Sequence, residues 1–203
     1  MRHEVGGLYL RALEEQQVEW EAADASLGPN SALLELHQQA TSDDLAALWA
    51  EFADGDEDQR ILLARVCGEA TAALPASVRN GLLAWLEQPV EPPLLTWVVS
   101  RLAYLPDPLG DVLHPALRHL AHPDDEVRYA LTGLLTGYVP DPVAVDGLVA
   151  LGNDEVADVR FGAIFELQAH VDEAGLCDPR VEALLRRAGA DPDDRIRHVV
   201  SAG

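Results

Sequence analysis

Apolar residues recur along this chain at the three-and-four spacing that lines one face of a helix. The pattern runs through Leu45, Leu48, Trp49 and Phe52, then Val78, Gly81, Leu82 and Trp85. It returns at Leu109, Val112, Leu113, Ala116, Leu117 and Leu120, and again at Val181, Leu184, Leu185 and Ala188. Between these stretches lie others of the same period, with Val127, Ala130, Leu131 and Leu135 on one face, and Val159, Gly162, Ala163 and Leu167 on the next. Runs that alternate apolar and polar residues in the manner of a strand are absent from the sequence, so the pattern predicts an all-α fold.

The stretches repeat one another. Tyr104-Leu-Pro-Asp-Pro108 returns as Tyr138-Val-Pro-Asp-Pro142, an offset of 138 − 104 = 34. Val127-Arg128-Tyr129-Ala130-Leu131 returns as Val159-Arg160-Phe161-Gly162-Ala163 and as Ile196-Arg197-His198-Val199-Val200, at offsets of 32 and 37. The Asp-Pro marker keeps step, since 179 − 142 is also 37. Two markers that shift together identify an internal repeat of paired helices. Asp107-Pro108, Asp141-Pro142 and Asp178-Pro179 open the first helix of three pairs, because aspartate caps free amides and proline at the first helical position has no amide to lose. The second helix of each pair starts at an acidic turn and carries the apolar-arginine pair. Small residues on its inner face, Ala130, Gly162 and Ala163, allow close helix approach and resist enlargement.

The predicted units are 43–72, 77–104, 108–137, 140–170 and 178–202. Units one and two are degenerate, with Gln59-Arg60-Ile61-Leu62-Leu63 and Pro93-Leu94-Leu95 at the marker. Residues 1–40, broken at Gly28-Pro29-Asn30, are expected to form a helical cap over the first unit, and the whole is expected to be one domain.

The motifs DDEVRYALTGLL, ADVRFGAIFEL and DDRIRHVVSA resemble HEAT repeats of the bacterial form related to phycobilisome lyases, over residues 105–203 and more weakly over 43–104. The resemblance implies a right-handed α-α superhelix, a solenoid of about five helix pairs, whose second helices line a concave surface used to bind protein. It implies no particular chemistry. In such a stack Arg128, Arg160 and Arg197 stand at equivalent heights. A planar guanidinium there can bond the acidic turn or the carbonyls of an adjoining unit, or reach a partner; the repeat logic favours the first. Tyr129, Phe161 and His198 each follow a repeat arginine and form a row of flat side chains, which Trp97 and Tyr104 extend. The row either fills gaps between units or makes an interface strip, since aromatics and arginine dominate binding hot spots. These eight residues, Trp97, Tyr104, Arg128, Tyr129, Arg160, Phe161, Arg197 and His198, are the candidate binding residues.

Charge narrows the partners. The chain has 35 acidic residues against 14 basic ones, a net charge of −21, and every basic residue is arginine. That field repels nucleic acid. Residues 1–59 hold fourteen Asp or Glu and two Arg, net 2 − 14 = −12, including Asp54-Gly-Asp56-Glu57-Asp58, either as a solvated surface or as a patch that steers a basic protein. Neither a signal peptide nor a membrane span is indicated, so a cytoplasmic protein is expected.

Candidate chemistry is sparse. Cys67 and Cys177 form no CxxC motif and are expected to be small core residues. His114, His119 and His122 are close in sequence, but the five-residue step after His114 turns it to another face, so no metal site is expected. His3-Glu4 occurs once, whereas HEAT-repeat hydroxylases of the deoxyhypusine type carry several His-Glu pairs on successive helices. No nucleophile elbow, phosphate loop or HExxH motif is present. The sequence therefore predicts a non-enzymatic interaction scaffold with no cofactor, holding a basic protein on its concave face, for instance as an inhibitor or immunity protein against a basic toxin. The alternative, a bilin lyase-like or DNA glycosylase-like repeat enzyme, lacks catalytic residues and has the wrong charge.

Overall fold

The computed structural model describes residues 2–21, 31–69, 73–103 and 112–201. Among them lie twelve α-helices and no strand: α1 (Arg2–Glu21), α2 (Ser31–Gln39), α3 (Ser42–Phe52), α4 (Glu57–Glu69), α5 (Ala76–Glu87), α6 (Pro92–Ala103), α7 (Leu113–Leu117), α8 (Asp125–Thr136), α9 (Pro142–Leu151), α10 (Ala157–Ala174), α11 (Pro179–Ala188) and α12 (Asp194–Ser201). No described helix is long and apolar enough to cross a membrane. The chain divides into two compact units, residues 1–101 and 102–203.

In the first unit α1 packs on α2, α3 and α4, α2 also touches α4, and α3 packs on α4 and α5. The predicted apolar stripes supply much of the core: Leu45, Leu48 and Phe52 of α3 and Val78, Leu82 and Trp85 of α5 are buried, Trp49 is half-buried, and Leu86 joins them from outside the predicted stripe. Tyr9 stacks on Phe52 at 4.3 Å and donates its hydroxyl to the Gln59 carbonyl, which ties α1 to the start of α4. Buried Gln16 adds a second tie, donating to the Asp58 carbonyl (3.2 Å) and accepting from Arg65 (2.8 Å). Both bonds hold α1 against α4, while Gly28-Pro29-Asn30 lie outside the described residues. Thr41 and Asp44 form a reciprocal capping box at the start of α3.

In the second unit the helices pack in chain order. α8, α10 and α12 make one row, α9 and α11 another, and each row packs on the other. The start signals act as anticipated: Asp124 accepts from the Glu126 and Val127 amides, Asp141 from Val143, and Asp178 from Arg180, with Pro142 and Pro179 in the first turns of α9 and α11. Asp107-Pro108 and Leu109 lie outside the described residues. α7 is shorter than the apolar pattern predicts, because the chain turns at Arg118 to Ala121. α10 is capped at Val156 rather than by an acidic side chain, though the Val156 amide is still taken by Asp154 (2.9 Å). At its other end Gly175 adopts φ +67°, and the amides of Gly175 and Leu176 both close on the His170 carbonyl. Cys67 is buried as expected, but Cys177 is exposed: it sits in the short connection between α10 and α11, where no helix face turns it inward.

Two glycines predict opposite responses to alanine. A Cβ at Gly81 would lie 2.0 Å from Trp49, whose ring is already held at 4.5 Å from Trp85. Gly133, inside α8, has open space at the same point. Urea denaturation should therefore show Gly81→Ala losing about 1–3 kcal/mol through overpacking, and Gly133→Ala gaining about 0.5–1 kcal/mol from helix propensity.

Candidate functional site

The second helices of the second unit share a register fixed by their first backbone hydrogen bonds. Arg128 donates its amide to the Asp124 carbonyl, Arg160 to Val156, and Arg197 to Asp193. Each arginine is therefore the fourth residue after its cap, and its side chain reaches back over its own turn. Arg128 Nη1 donates to the carbonyls of His122 (2.6 Å) and Pro123 (3.2 Å). Arg160 Nη1 does the same to Asp154 and Glu155, both at 3.0 Å. The other edge of each guanidinium forks onto the next turn. Arg128 Nε and Nη2 hold Asp154 at 2.8 and 3.0 Å, and Arg160 Nε and Nη2 hold Asp191 at 2.9 and 3.0 Å. Arg128 is 6% exposed, so its pair is largely shielded from water. One residue thus links three groups: the Asp154 carboxylate accepts from Arg128 and from the Val156 amide, and its backbone carbonyl accepts from Arg160.

The titration directions agree with this geometry. Burial works against the charged form of Asp154, yet the Arg128 guanidinium and the Val156 amide outweigh it and hold the carboxyl below its ordinary value. Asp191 is held down by Arg160 in the same way, and Asp193 is lowered to about 2 by Arg195.

Outward from this ladder the same helices present a groove of about 260 Å³, lined by Asp125, Glu126 and Tyr129 of α8, Asp158 and Phe161 of α10, and Arg195 of α12. Tyr129 is 45% exposed. Its ring runs along Gly162, where an added Cβ would meet Tyr129 at 3.0 Å and Thr132 at 2.8 Å, so the missing side chain lets α8 and α10 close up beneath the groove. Phe161 is half-buried, 5.9 Å from the exposed Phe165 and under Arg195 at 5.2 Å. Arg195 is neutralised by Asp158 and Asp193, both at 2.7 Å, so Asp125 and Glu126 set a negative rim.

The sequence candidates separate accordingly. Tyr129 and Phe161 line the groove; Arg128 and Arg160 face the other way, into the ladder; Arg197 and His198 are exposed on α12. Trp97 lies in the first unit, half-buried between the guanidinium groups of Arg65 (5.1 Å) and Arg101 (4.8 Å). It is also out of register with the aromatic row, because Leu95 takes the fourth place after the turn by donating its amide to Glu91. Tyr104 lies outside the described residues, as do the side chains of His3 and Glu4. His119 and His122 are 6.0 Å apart, and His122 Nδ1 accepts from the Asp124 amide at 3.2 Å. Among the described residues no three His, Cys, Asp or Glu converge as metal ligands.

Two features were not anticipated. Exposed Phe165 stacks on Phe161 from one turn further along α10, and the four-residue spacing of two phenylalanines was the available signal. Arg60, in the degenerate first unit, stands fourth after Asp56 and reaches Glu91, 31 residues on, at 3.0 Å. That span equals the one between Arg160 and Asp191.

The ladder makes stability pH-dependent and charge-coupled. Because the folded carboxyls of Asp154 and Asp191 titrate below their unfolded value, their contribution is complete above about pH 4 and is lost as the pH falls further; Asp191→Asn should flatten that acid limb in a thermal-melt series. Arg128→Ala strands Asp154 and should cost about 3 kcal/mol, a fall in Tm of roughly 6–12 °C. Arg128→Met combined with Asp154→Asn, which removes both charges and keeps the Val156 cap, should lose less than Arg128→Ala. No protein-family model matches this chain, and no curated protein matches it.

Proposed function

We propose that this protein is a non-enzymatic interaction scaffold of HEAT-like helical pairs that holds a basic partner protein on the second-helix face formed by α8, α10 and α12. One observation carries the reading: exposed Tyr129 and half-buried Phe161 line one groove whose unneutralised rim charges, Asp125 and Glu126, are both negative. Flat rings beside uncompensated carboxylates suit an arginine or lysine side chain, which can stack its stem on Tyr129 while its charge meets Asp125 or Glu126. The chain's net charge of −21 adds long-range attraction for a basic protein. Rigid support favours the same reading, because the ladder fixes the helices beneath the groove and little ordering is left to be done on binding.

A concrete form of this function is neutralisation of a basic toxin by an inhibitor or immunity protein. The curved, right-handed stack implied by the repeat motifs would place the groove on its concave side.

The reading is tested by affinity capture from source lysate with the wild-type chain and with a Tyr129→Ala/Phe161→Ala variant, followed by titration of the purified partner. A single basic protein should be retained, its affinity should fall as salt rises, and loss of two central aromatics should weaken it by about 30-fold or more, the effect of removing about 2 kcal/mol of hot-spot contact. Equal retention of the same proteins by both chains, or affinity indifferent to salt, would remove the groove from the function.

A further inference from the structure

Neighbouring second helices carry two versions of one rung. On the α10–α12 side, Arg195 stands two places before Arg197, while Asp158 and Phe161 stand two before and one after Arg160. Arg195 lays its guanidinium over the Phe161 ring at 5.2 Å and donates Nη2 to Asp158 Oδ1 at 2.7 Å. The ring and the carboxylate of one helix are thus satisfied by a cation from the next.

The α8–α10 side presents the same ring and carboxylate without the cation. Tyr129 and Glu126 hold on α8 the places of Phe161 and Asp158, but the place of Arg195 is taken on α10 by Asp158, an acid. Among the described residues no cation pairs with Asp125 or Glu126. Asp158 meets Arg195 through Oδ1, and its side chain is 67% exposed, so its second oxygen is open to a further donor. Tyr129 rests the Cδ2–Cε2 edge of its ring against Gly162 and is otherwise exposed. The groove these residues line holds about 260 Å³. That is less than the roughly 300–1,000 Å³ of a small-molecule site and suits one inserted side chain.

We infer that this groove is an arginine subsite: an arginine of a partner protein lies over Tyr129 and forks between Glu126 and Asp158, repeating from outside the contact that Arg195 makes from within. The assignment rests on the scaffold reading above and names what that surface grips. Arginine is selected over lysine by shape and hydration. A guanidinium is flat, so it stacks on the ring while its N–H groups point outward in its own plane to carboxylates on two helices. An ammonium is a compact point charge that keeps its water and has no plane to lay on the ring. Arg195, already neutralised by Asp158 and Asp193, does not repel the incoming charge.

The test uses the full chain with 13C-labelled tyrosine rings and three peptides: acetyl-Ala-Arg-Ala-amide, its lysine counterpart, and its citrulline counterpart, which keeps the planar shape without the charge. The Tyr129 ring resonance, assigned by its absence in Tyr129→Phe, should respond to the arginine peptide at roughly tenfold lower concentration than to the lysine peptide. The citrulline peptide should act more weakly than either. Glu126→Gln should remove most of the preference, whereas Glu182→Gln, the same change of charge on an exposed place of α11, should keep it. Asp158→Arg supplies the missing cation from within and should shift the Tyr129 resonance by itself and block the peptide. Equal action of the arginine and lysine peptides, or a preference intact in Glu126→Gln, would overturn the inference. A basic partner lost on Tyr129→Ala/Phe161→Ala while the three peptides act alike would also overturn it and leave the wider reading standing. Arginine preference in a chain that retains no basic protein would support the subsite and remove the wider reading.

Discussion

The two-sided fork of Arg128, onto the carbonyls of its own turn and onto the carboxylate of Asp154 in the next, is the constraint on which the second unit depends. Helix pairs buried only by aliphatic contact could slide by a residue or rotate at small cost, since dispersion contacts are non-directional. A guanidinium with fixed N–H directions removes that freedom. Each turn is joined to the next through a bidentate contact, and Asp154 and Asp191 each cap an amide of the turn they belong to as well. Arginine is needed for this, because lysine has no planar edge with which to meet two oxygens at once.

Because the arginines turn inward, the neighbouring residue of each helix turns out. Tyr129 therefore comes to the surface one place after Arg128, over the gap that Gly162 leaves between α8 and α10. Above Phe161, Arg195 is held by two aspartates and acts as a lid on the ring rather than as a free charge. The aromatic groove and the ladder are thus opposite faces of a single register. The geometry of the one is therefore set by that of the other.

The first unit uses the same device with weaker parts. Arg60 makes a single bond to Glu91, longer in side chain and half exposed, while its buried Nε has no partner. Aromatic packing takes a larger share there, in Tyr9 on Phe52, Trp49 on Trp85, and Trp97 between two arginines. Leu95, buried in the place of a repeat arginine, exchanges an oriented contact for an apolar one.

What the sequence by itself determined is local. Period, helix starts at Asp141 and Asp178, and the placement of Arg128, Arg160 and Arg197 at one height all arise from interactions within a few residues, so spacing alone exposes them. What only the tertiary structure decided is partnership across distance. That Arg128 meets Asp154 at 26 residues and Arg160 meets Asp191 at 31 depends on the lengths of the intervening helices and turns, which no local signal encodes. The same holds for Trp97, whose register shifts because its helix opens at Glu91, for Cys177, exposed by a short connection, and for the rung at Arg60 that a degenerate motif concealed. Side chains one residue apart on a helix point in directions about 100° apart. Whether an aromatic beside an arginine fills the interior or faces solvent was therefore settled only when the arginine's own partner had fixed which way the helix turns.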